Sequence, residues 1–472
     1  MSYEIEANYD ERWLLPPSLE DLLPSRHSAR LVREFVEAVN LVDLGFKSRR
    51  NETGRPNYSA SLLAKVFLYG YMNRTRSFRG LERACLNDMG MLWLTGMNYP
   101  DHTSLWRFWN DNRAAIRGLF RQLLQIAASA NLVGLVLHAV DGTKILSQAS
   151  DAAGWHRSNL QEKLQQLEEA IDQIMKETEQ SGADNGGECQ LPEKLQDRQQ
   201  LRDTIQKQLE QLKQKECEHH QPKDEDARVM KCGPLNRFAY NAQAVVDEKS
   251  KLIVAADVVS DESDNYQLVP MLEQVQENLD QVAEQTVADA GYFATTQLAE
   301  AEDKHFAVVI NLPESVQGSE NEPYHVSRFV YNEEKDHCIC PRGEVLAFEV
   351  TVLRDKAHPY EARRYRCQSY ETCPVRWQCS ASKSGRTVHI HPNHAALLRQ
   401  REKLKDAAMR AQLKKRSETV EPIFGWAKEV MGFRRWSFRG RDKVRTQWSL
   451  QCTAMNLRRL YKSWQEGKLV FV

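Results

Sequence analysis

The sequence predicts an α/β protein: a mixed sheet flanked by helices, with an all-helical section before it. A helical hairpin and a β-rich, cysteine-containing segment interrupt the sheet region. Three observations predict this. Apolar residues recur at three- and four-residue spacing up to about residue 130, the pattern then changes to that of a buried strand, and strands and helices alternate from there on. A chain of 472 residues also exceeds one ordinary core, so two or three domains are expected.

The helical section rests on "SARLVREFVEAVNLV", "SASLLAKVFLYGYMN" and "SLWRFWNDNRAAIRGLFRQLLQIA", which carry serines near their starts, and on a Gly54–Arg55–Pro56 turn into the second helix. Between them, "SFRGLERACLNDMGMLWLTGMNYPDHTSLWRFW" reads as two helices and a turn, the second opening at His102–Thr103–Ser104. That is the outline of a helix-turn-helix DNA reader and equally of a small helical bundle. The first sheet strand, "NLVGLVLHAVDGTKI", is apolar on both faces and is expected to end at Asp141–Gly142. Leu160, Leu164, Leu167, Ile171 and Ile174, then Leu201, Ile205, Leu209 and Leu212, form two heptad seams around "SGADNGG". They predict an antiparallel coiled-coil hairpin over residues 158–217. Next come a strand pair, "RFAYNAQAVVD" and "KLIVAADVVS", a helix in "DNYQLVPMLEQVQENL", a short strand in "QTVADAGYF", a helix in "TTQLAEAEDK" and a strand in "HFAVVINLP". Residues 315–392 are irregular and β-like, and a long basic helical segment follows them.

Composition sets further bounds. The longest apolar run, around Leu132–Val140, is far short of the roughly 20 residues of a membrane helix. The opening "MSYEIEANYDERW" is acidic and polar rather than a signal peptide, so a soluble, intracellular protein with no membrane partner is expected. Net charge is −1, which alone argues against a nucleic-acid partner. From Arg401 to Val472, however, 18 Lys and Arg stand against 7 Asp and Glu, and a basic segment of that kind points to phosphate.

Three carboxylates stand out. Asp141 and Asp289 are each placed at the end of a strand, where α/β sheets gather ligands, and each has a glycine (Gly142, Gly291) within two residues. An aspartate there also simply starts turns. In a helix through "ETVEPIFGWAKEVMGFRRW", Glu421, Gly425 and Lys428 share one face. Gly425 costs roughly 1 kcal/mol of helix propensity, offset either by close approach of a bulky ligand or by tight helix packing. Because a residue before proline avoids the helical conformation, a helix start or kink is expected at Glu421, with Pro422 at or near the first helical position. Carboxylates without imidazole or thiol suit Mg²⁺, and two such ions about 3.5–4 Å apart support in-line phosphoryl transfer.

Taken together and in order, "HAVDGTKI", "TVADAGYF" and "VEPIFGWAKEVMGFRRW" resemble the acidic motifs of bacterial insertion-sequence DDE transposases. "GRPNYSASLLAKVFLYGYMNRTRSFRGLERAC" is similar to the helical domain that precedes their catalytic core. The resemblance implies an RNase H-like fold: a helical DNA-binding domain over 1–130, then a catalytic domain over 131–472 interrupted by the hairpin (158–217) and the β-rich insertion (315–392). It implies Asp141, Asp289 and Glu421 as catalytic, metal-binding residues for two Mg²⁺, with Mn²⁺ as a substitute. Glu421 and Lys428 match the Glu and Lys of the family's Tyr-Arg-Glu-Lys signature. Arg416 matches its Arg with one residue too many before Glu421, and Leu413 stands where the Tyr is sought. Lys428 and Arg416 would position phosphates, and Arg434, Arg435, Arg439 and Arg441 would add backbone affinity for DNA. Trp436 would stack on an unpaired base or be buried.

The implied activity is binding of terminal inverted repeats, Mg²⁺-dependent DNA cleavage and strand transfer. The implied partners are double-stranded element ends and target DNA. A homodimer or larger synaptic oligomer at the bacterial nucleoid would carry it out. Two other readings share these motifs: an RNase H-like nuclease without strand transfer, and a repurposed, non-catalytic DNA-binding protein. Of the ten cysteines, Cys338, Cys340, Cys367, Cys373 and Cys379 fall within 42 residues, which reads as metal binding in a reducing compartment. Structural Zn²⁺ on Cys340, Cys367, Cys373 and Cys379, with Cys338 as a substitute ligand, is one expectation; reduced, partly buried thiols are the other. The spacings miss the usual C-x₂₋₄-C.

Overall fold

A computed structural model describes residues 18–21, 23–47, 57–182, 193–319, 321–355 and 358–471. The chain divides into two units, Met1–Leu132 with Thr446–Val472, and Val133–Arg445. The acidic opening, the Gly54–Arg55–Pro56 turn and the glycine-rich turn from residue 183 on lie outside the described residues.

In the first unit the helices are α1 (Ser28–Ala38), α2 (Ala60–Met72), α3 (Phe78–Asn87), α4 (Met89–Thr95), α5 (His102–Asp111) and α6 (Arg113–Ser129). The serines act as caps: Ser59 Oγ accepts from Leu62 N, and Ser77 Oγ from Gly80 N, both at 3.1 Å. Leu31, Phe35, Phe67, Leu105, Trp109 and Leu123 supply the core. Where two helices were expected, there are three. The short α4 intervenes, and α5 opens at His102 behind Asp101, whose carboxylate accepts from Ser104 N at 2.7 Å.

The second unit begins with β1 (Leu137–Leu146), β2 (Trp155–His156), α7 (Arg157–Gly182), α8 (Glu193–Gln214) and β3 (His219–His220). Then follow β4 (Arg228–Cys232), β5 (Leu235–Asp247), β6 (Ile253–Val259), α9 (Leu268–Leu279), β7 (Gln285–Ala288), α10 (Thr295–Asp303) and β8 (Val308–Ile310). The sheet runs β5-β1-β7-β8, with β4 and β6 both on the far edge of β5. β1 is antiparallel to β5 and parallel to β7. The strand does not end at Asp141–Gly142: it stays paired through Leu146, opposite Ala239. The long β5 provides the ladder that carries it past the glycine. α7 and α8 pack through Leu160, Ile205 and Leu212, with Leu164, Leu167 and Leu209 alongside, whereas Leu201 is exposed.

After α11 (Glu314–Gln317), an antiparallel sheet forms from β9 (Val330–Asn332), β10 (His337–Ile339), β11 (Val345–Arg354), β12 (Tyr360–Cys367) and, beyond α12 (Arg376–Cys379), β13 (Thr387–Ile390). α13 (His394–Lys403) is tied to β8, Gln400 Nε2 donating to Ile310 O at 2.6 Å. α14 (Ala407–Gly425) packs across β1, β5, β7 and β8. It runs through Glu421 and Pro422, against the expected helix start there. Proline removes one N–H, and the buried stripe Leu413, Val420, Ile423 and Phe424 holds the helix against the sheet across it. The irregularity comes later, as a π-turn at Trp426–Val430. α15 (Arg441–Gln465) follows, and from Thr446 on it groups with the helical unit rather than with residues 133–445. Trp448, Leu450, Cys452, Met455 and Leu457 are all buried, as are Gln447, Gln451 and Asn456 among them, and a helix buried on every side with mixed polarity does not reveal in sequence which core receives it.

His138 on β1 is fully buried, with Nε2 3.7 Å from Asp247 Oδ1. Neither ring nitrogen has a hydrogen bond among the described residues. Burial depresses the imidazole below its ordinary value, against the opposing pull of Asp247. The unfolded chain therefore takes up a proton that the folded chain refuses. Stability is full above about pH 6.5 and declines as pH falls below it. Urea midpoints should fall between about pH 7.5 and 5.5, and His138→Leu should flatten that fall.

Candidate functional site

Alternation along β1 builds the site. In its register with β5, Asp141 and Thr143 lie opposite Ala244 and Ala242, while Gly142 and Lys144 lie opposite Gln243 and Asn241. Successive side chains take opposite faces. One face meets α14 and the segment after it, and the other meets the loop that leads to α9.

On the first face, Arg416 Nη1 donates to Asp141 Oδ2 at 2.7 Å, and Nη2 to Glu421 Oε1 at 3.3 Å. Further along, Lys428 Nζ donates to Thr143 Oγ1 at 2.5 Å. Trp436 Nε1 donates to Ile145 O at 3.2 Å, and Trp436 N to Leu146 O at 2.9 Å. Arg435 reaches the carbonyls of Ser147 and Ala149. Asp289 lies just beyond β7 and opens a tight turn, its Oδ1 accepting from Gly291 N at 2.8 Å. Burial pushes the Asp141 carboxyl up to about 6, with Asp289 adding to the rise and Arg416 opposing it. Burial also lowers the Lys428 ammonium.

Asp141, Asp289 and Arg416 are therefore neighbours, and Glu421 joins them through the guanidinium. Its side chain is 58% exposed, against 17% for Asp141. The expected common face of Glu421, Gly425 and Lys428 is not kept: the first two are exposed, while Lys428 is half-buried against the sheet. Among the described residues, nothing outside its chain neighbours and its own helix backbone lies within 4 Å of a Cβ added at Gly425, so packing against another element does not account for that glycine. Arg434, Arg435, Arg439 and Arg441 are exposed. Arg434 pairs with Glu429, and Arg439 donates to Gln148. Trp436 is buried, edge-on to Phe433 and Tyr240.

The second face holds residues that the motifs did not single out. Asp264 Oδ1 accepts from Gln243 Nε2 at 2.7 Å and from Asn241 Nδ2 at 2.5 Å, with Lys144 Nζ at 3.5 Å. Tyr292, fully buried, donates to Gln243 Oε1. A Cβ at Gly142 would stand 2.5 Å from Gln243 Nε2 and 2.9 Å from both Asn241 Oδ1 and Asp264 Oδ1. Gly142 is thus needed to clear this cluster, not to turn the chain. Asp264 sits among Asp261 and Glu262 in an acidic loop, and only the glycine hinted in sequence at a crowded back face.

Among the described residues, no three His, Cys, Asp or Glu side chains are arranged to hold a metal ion. In kind, the oxygens of Asp141 and Asp289 suit a hard divalent cation; Glu421 faces Arg416 instead. Cys340, Cys367, Cys373 and Cys379 are half-buried free thiols. Burial raises the thiols of Cys367 and Cys379, and Cys340 and Cys373 add to both. Arg342 N donates to Cys340 Sγ at 3.3 Å. Cys338 is a core residue, packed with Phe329, Leu346 and Tyr365.

Two family models match the chain: "Transposase domain (DUF772)" over residues 17–111 and "Transposase DDE domain" over 339–461. They stand in the order that the motif resemblance implies. The DDE match includes Arg416, Glu421 and Lys428 and leaves Asp141 and Asp289 outside it. No curated protein matches the chain. A solved piggyBac transposase synaptic complex with hairpin DNA aligns over 93% of this chain and 75% of that one, at 9% identity and a TM-score of 0.32. That likeness is too weak to carry an argument. No helix among the described residues is long and apolar enough to cross a membrane.

The two glycines make a paired test. Gly142→Ala forces a Cβ into the Gln243 amide and should cost about 1–3 kcal/mol of stability. Gly425→Ala meets open space and should gain up to about 1 kcal/mol from helix propensity. Urea unfolding of both variants checks the signs.

Proposed function

We propose that this chain is a DNA transposase of an insertion sequence, with an RNase H-like core. In this reading it binds terminal inverted repeats, cuts DNA at the element ends and transfers the strands to target DNA. The observation that carries the proposal is the meeting of distant acidic motifs. One guanidinium, Arg416, contacts both Asp141 and Glu421, and Asp289 is near enough to raise the Asp141 carboxyl. The strand order supports the RNase H-like assignment, with an antiparallel β6-β5-β1 half followed by parallel β7 and β8.

Asp141, Asp289 and Glu421 would hold two Mg²⁺, or Mn²⁺ in their place. When bound, such ions activate an attacking oxygen and neutralise the leaving one. Arg416, released from the carboxylates, and Lys428, half-buried against Thr143, would orient phosphates at the site. Exposed Arg434, Arg435, Arg439 and Arg441 would add salt-dependent affinity for the backbone. The helical unit would read the element ends. Synapsis would need a dimer or larger oligomer, with the α7–α8 hairpin as its contact, in a bacterial cytoplasm at the nucleoid. Structural Zn²⁺ on Cys340, Cys367, Cys373 and Cys379 would draw on four free thiols that act electrostatically on one another and would have to turn toward one centre.

Mg²⁺-dependent cleavage and strand transfer on element-end DNA test the proposal. Asp141→Ala, Asp289→Ala and Glu421→Ala should each abolish both activities and leave end binding intact. Cleavage surviving all three would sink the assignment, and cleavage without joining would favour the nuclease. For the cysteines, elemental analysis should find one zinc per chain, lost in Cys373→Ser/Cys379→Ser; purified protein without zinc overturns that part.

A further inference from the structure

We propose that Asp264 is a positioning residue for the aspartate site. It orients Gln243, and through Gln243 and Tyr292 it sets the turn that carries Asp289. The same amide buttresses the Gly142 backbone beside Asp141. The inference rests on the reading of Asp141 and Asp289 as the reacting carboxylates.

The hydrogen bonds fix the direction of this relay. Gln243 donates its Nε2 to Asp264 at 2.7 Å and accepts on Oε1 from the Tyr292 hydroxyl, so both ends of one amide are committed. Neither Gln243 nor Tyr292 has measurable exposure. If Asp264 is removed, the Gln243 NH₂ loses the carboxylate acceptor that orients it away from Tyr292. A buried phenol facing an amide NH₂ has lost its acceptor. Tyr292 lies three residues after Asp289, within the turn that Asp289 caps. A Cβ at Gly291 would stand 2.9 Å from Asp289 Oδ1 and 3.7 Å from Asp264 Oδ2, which places Asp264 close to that turn as well. Lys144 at 3.5 Å and Asn241 at 2.5 Å hold the Asp264 carboxylate from the β1 and β5 sides. Asp264 is thus tied to β1, which bears Asp141, and to its neighbour β5, and lies close to the turn that bears Asp289. Displacing a reacting group by about 1 Å can cost around 100-fold in rate, so a relay of this kind matters without touching substrate.

The test uses full-length protein and end DNA, with single-turnover cleavage rate and half-saturation for DNA measured separately. Asp264→Ala and Tyr292→Phe should each slow cleavage about 10- to 100-fold, with half-saturation unchanged within about twofold. The double variant should be little slower than the worse single one, because both cut the same relay. Asp264→Asn, which keeps an accepting oxygen, should recover most of the rate. It also keeps the test open if the alanine variant fails to fold. Wild-type rates in Asp264→Ala and Tyr292→Phe, with Asp141→Ala inactive, overturn the inference alone. Independent, multiplying losses in the double variant overturn the relay. Cleavage by Asp141→Ala instead overturns the catalytic reading beneath it.

Discussion

The two-residue period of β1 is the constraint on which the rest of the site depends. Because successive side chains take opposite faces, Asp141 and Thr143 meet Arg416 and Lys428, while Gly142 and Lys144 meet Gln243 and Asp264. A slip of one residue against β5 would exchange these sets. Asp141 would then face Gln243 and Asp264, with the Arg416 guanidinium left opposite a glycine. The antiparallel ladder from His138↔Asp247 to Leu146↔Ala239 fixes the register, and Trp436 closes it at the far end through Ile145 and Leu146.

Electrostatics follow from that register. Asp141 is buried enough for its carboxyl to rise to about 6, and Asp289 adds a like charge nearby. Arg416 is the internal counter-charge, only 15% exposed and shared with Glu421. The arrangement keeps an anionic site folded by lending it a cation from its own helix. The same guanidinium bridges Glu421 to Asp141.

Much of this was legible in sequence, for definable reasons. Helix periods and serine caps located α2 and α3, and the order of strands and helices from β5 to β8 followed from alternation and length. The motifs pointed to Asp141 and Glu421, which share the Arg416 guanidinium, and to Asp289, which acts on Asp141; among the described residues the three form no metal-holding group. The failures were those of local rules. Gly142 looked like a strand end because glycine usually is, but its partner strand continues and its missing Cβ makes room for Gln243. Pro422 looked like a helix start, yet a buried stripe on α14 outweighed one lost hydrogen bond. Asp264 had no periodic or spacing signal at all. Its role depends on contacts with residues more than 20 positions away, which composition does not encode.

The stretch after Glu421 combines these lessons. In a regular helix Glu421 and Lys428, seven residues apart, would point the same way. Here Glu421 is more than half exposed, and Lys428 lies against Thr143. Lys428 lies inside the π-turn Trp426–Val430, where the regular helical phase from Glu421 no longer holds. Met431 N bonds Trp426 O, and Phe433 N bonds Ala427 O, both at 2.8 Å. Each bond spans more residues than an α-helical one, so the helix turns less per residue and Lys428 swings toward β1. Gly425 marks the point of change, with open space where a side chain would be. The glutamate thus looks outward and the lysine inward from one continuous segment.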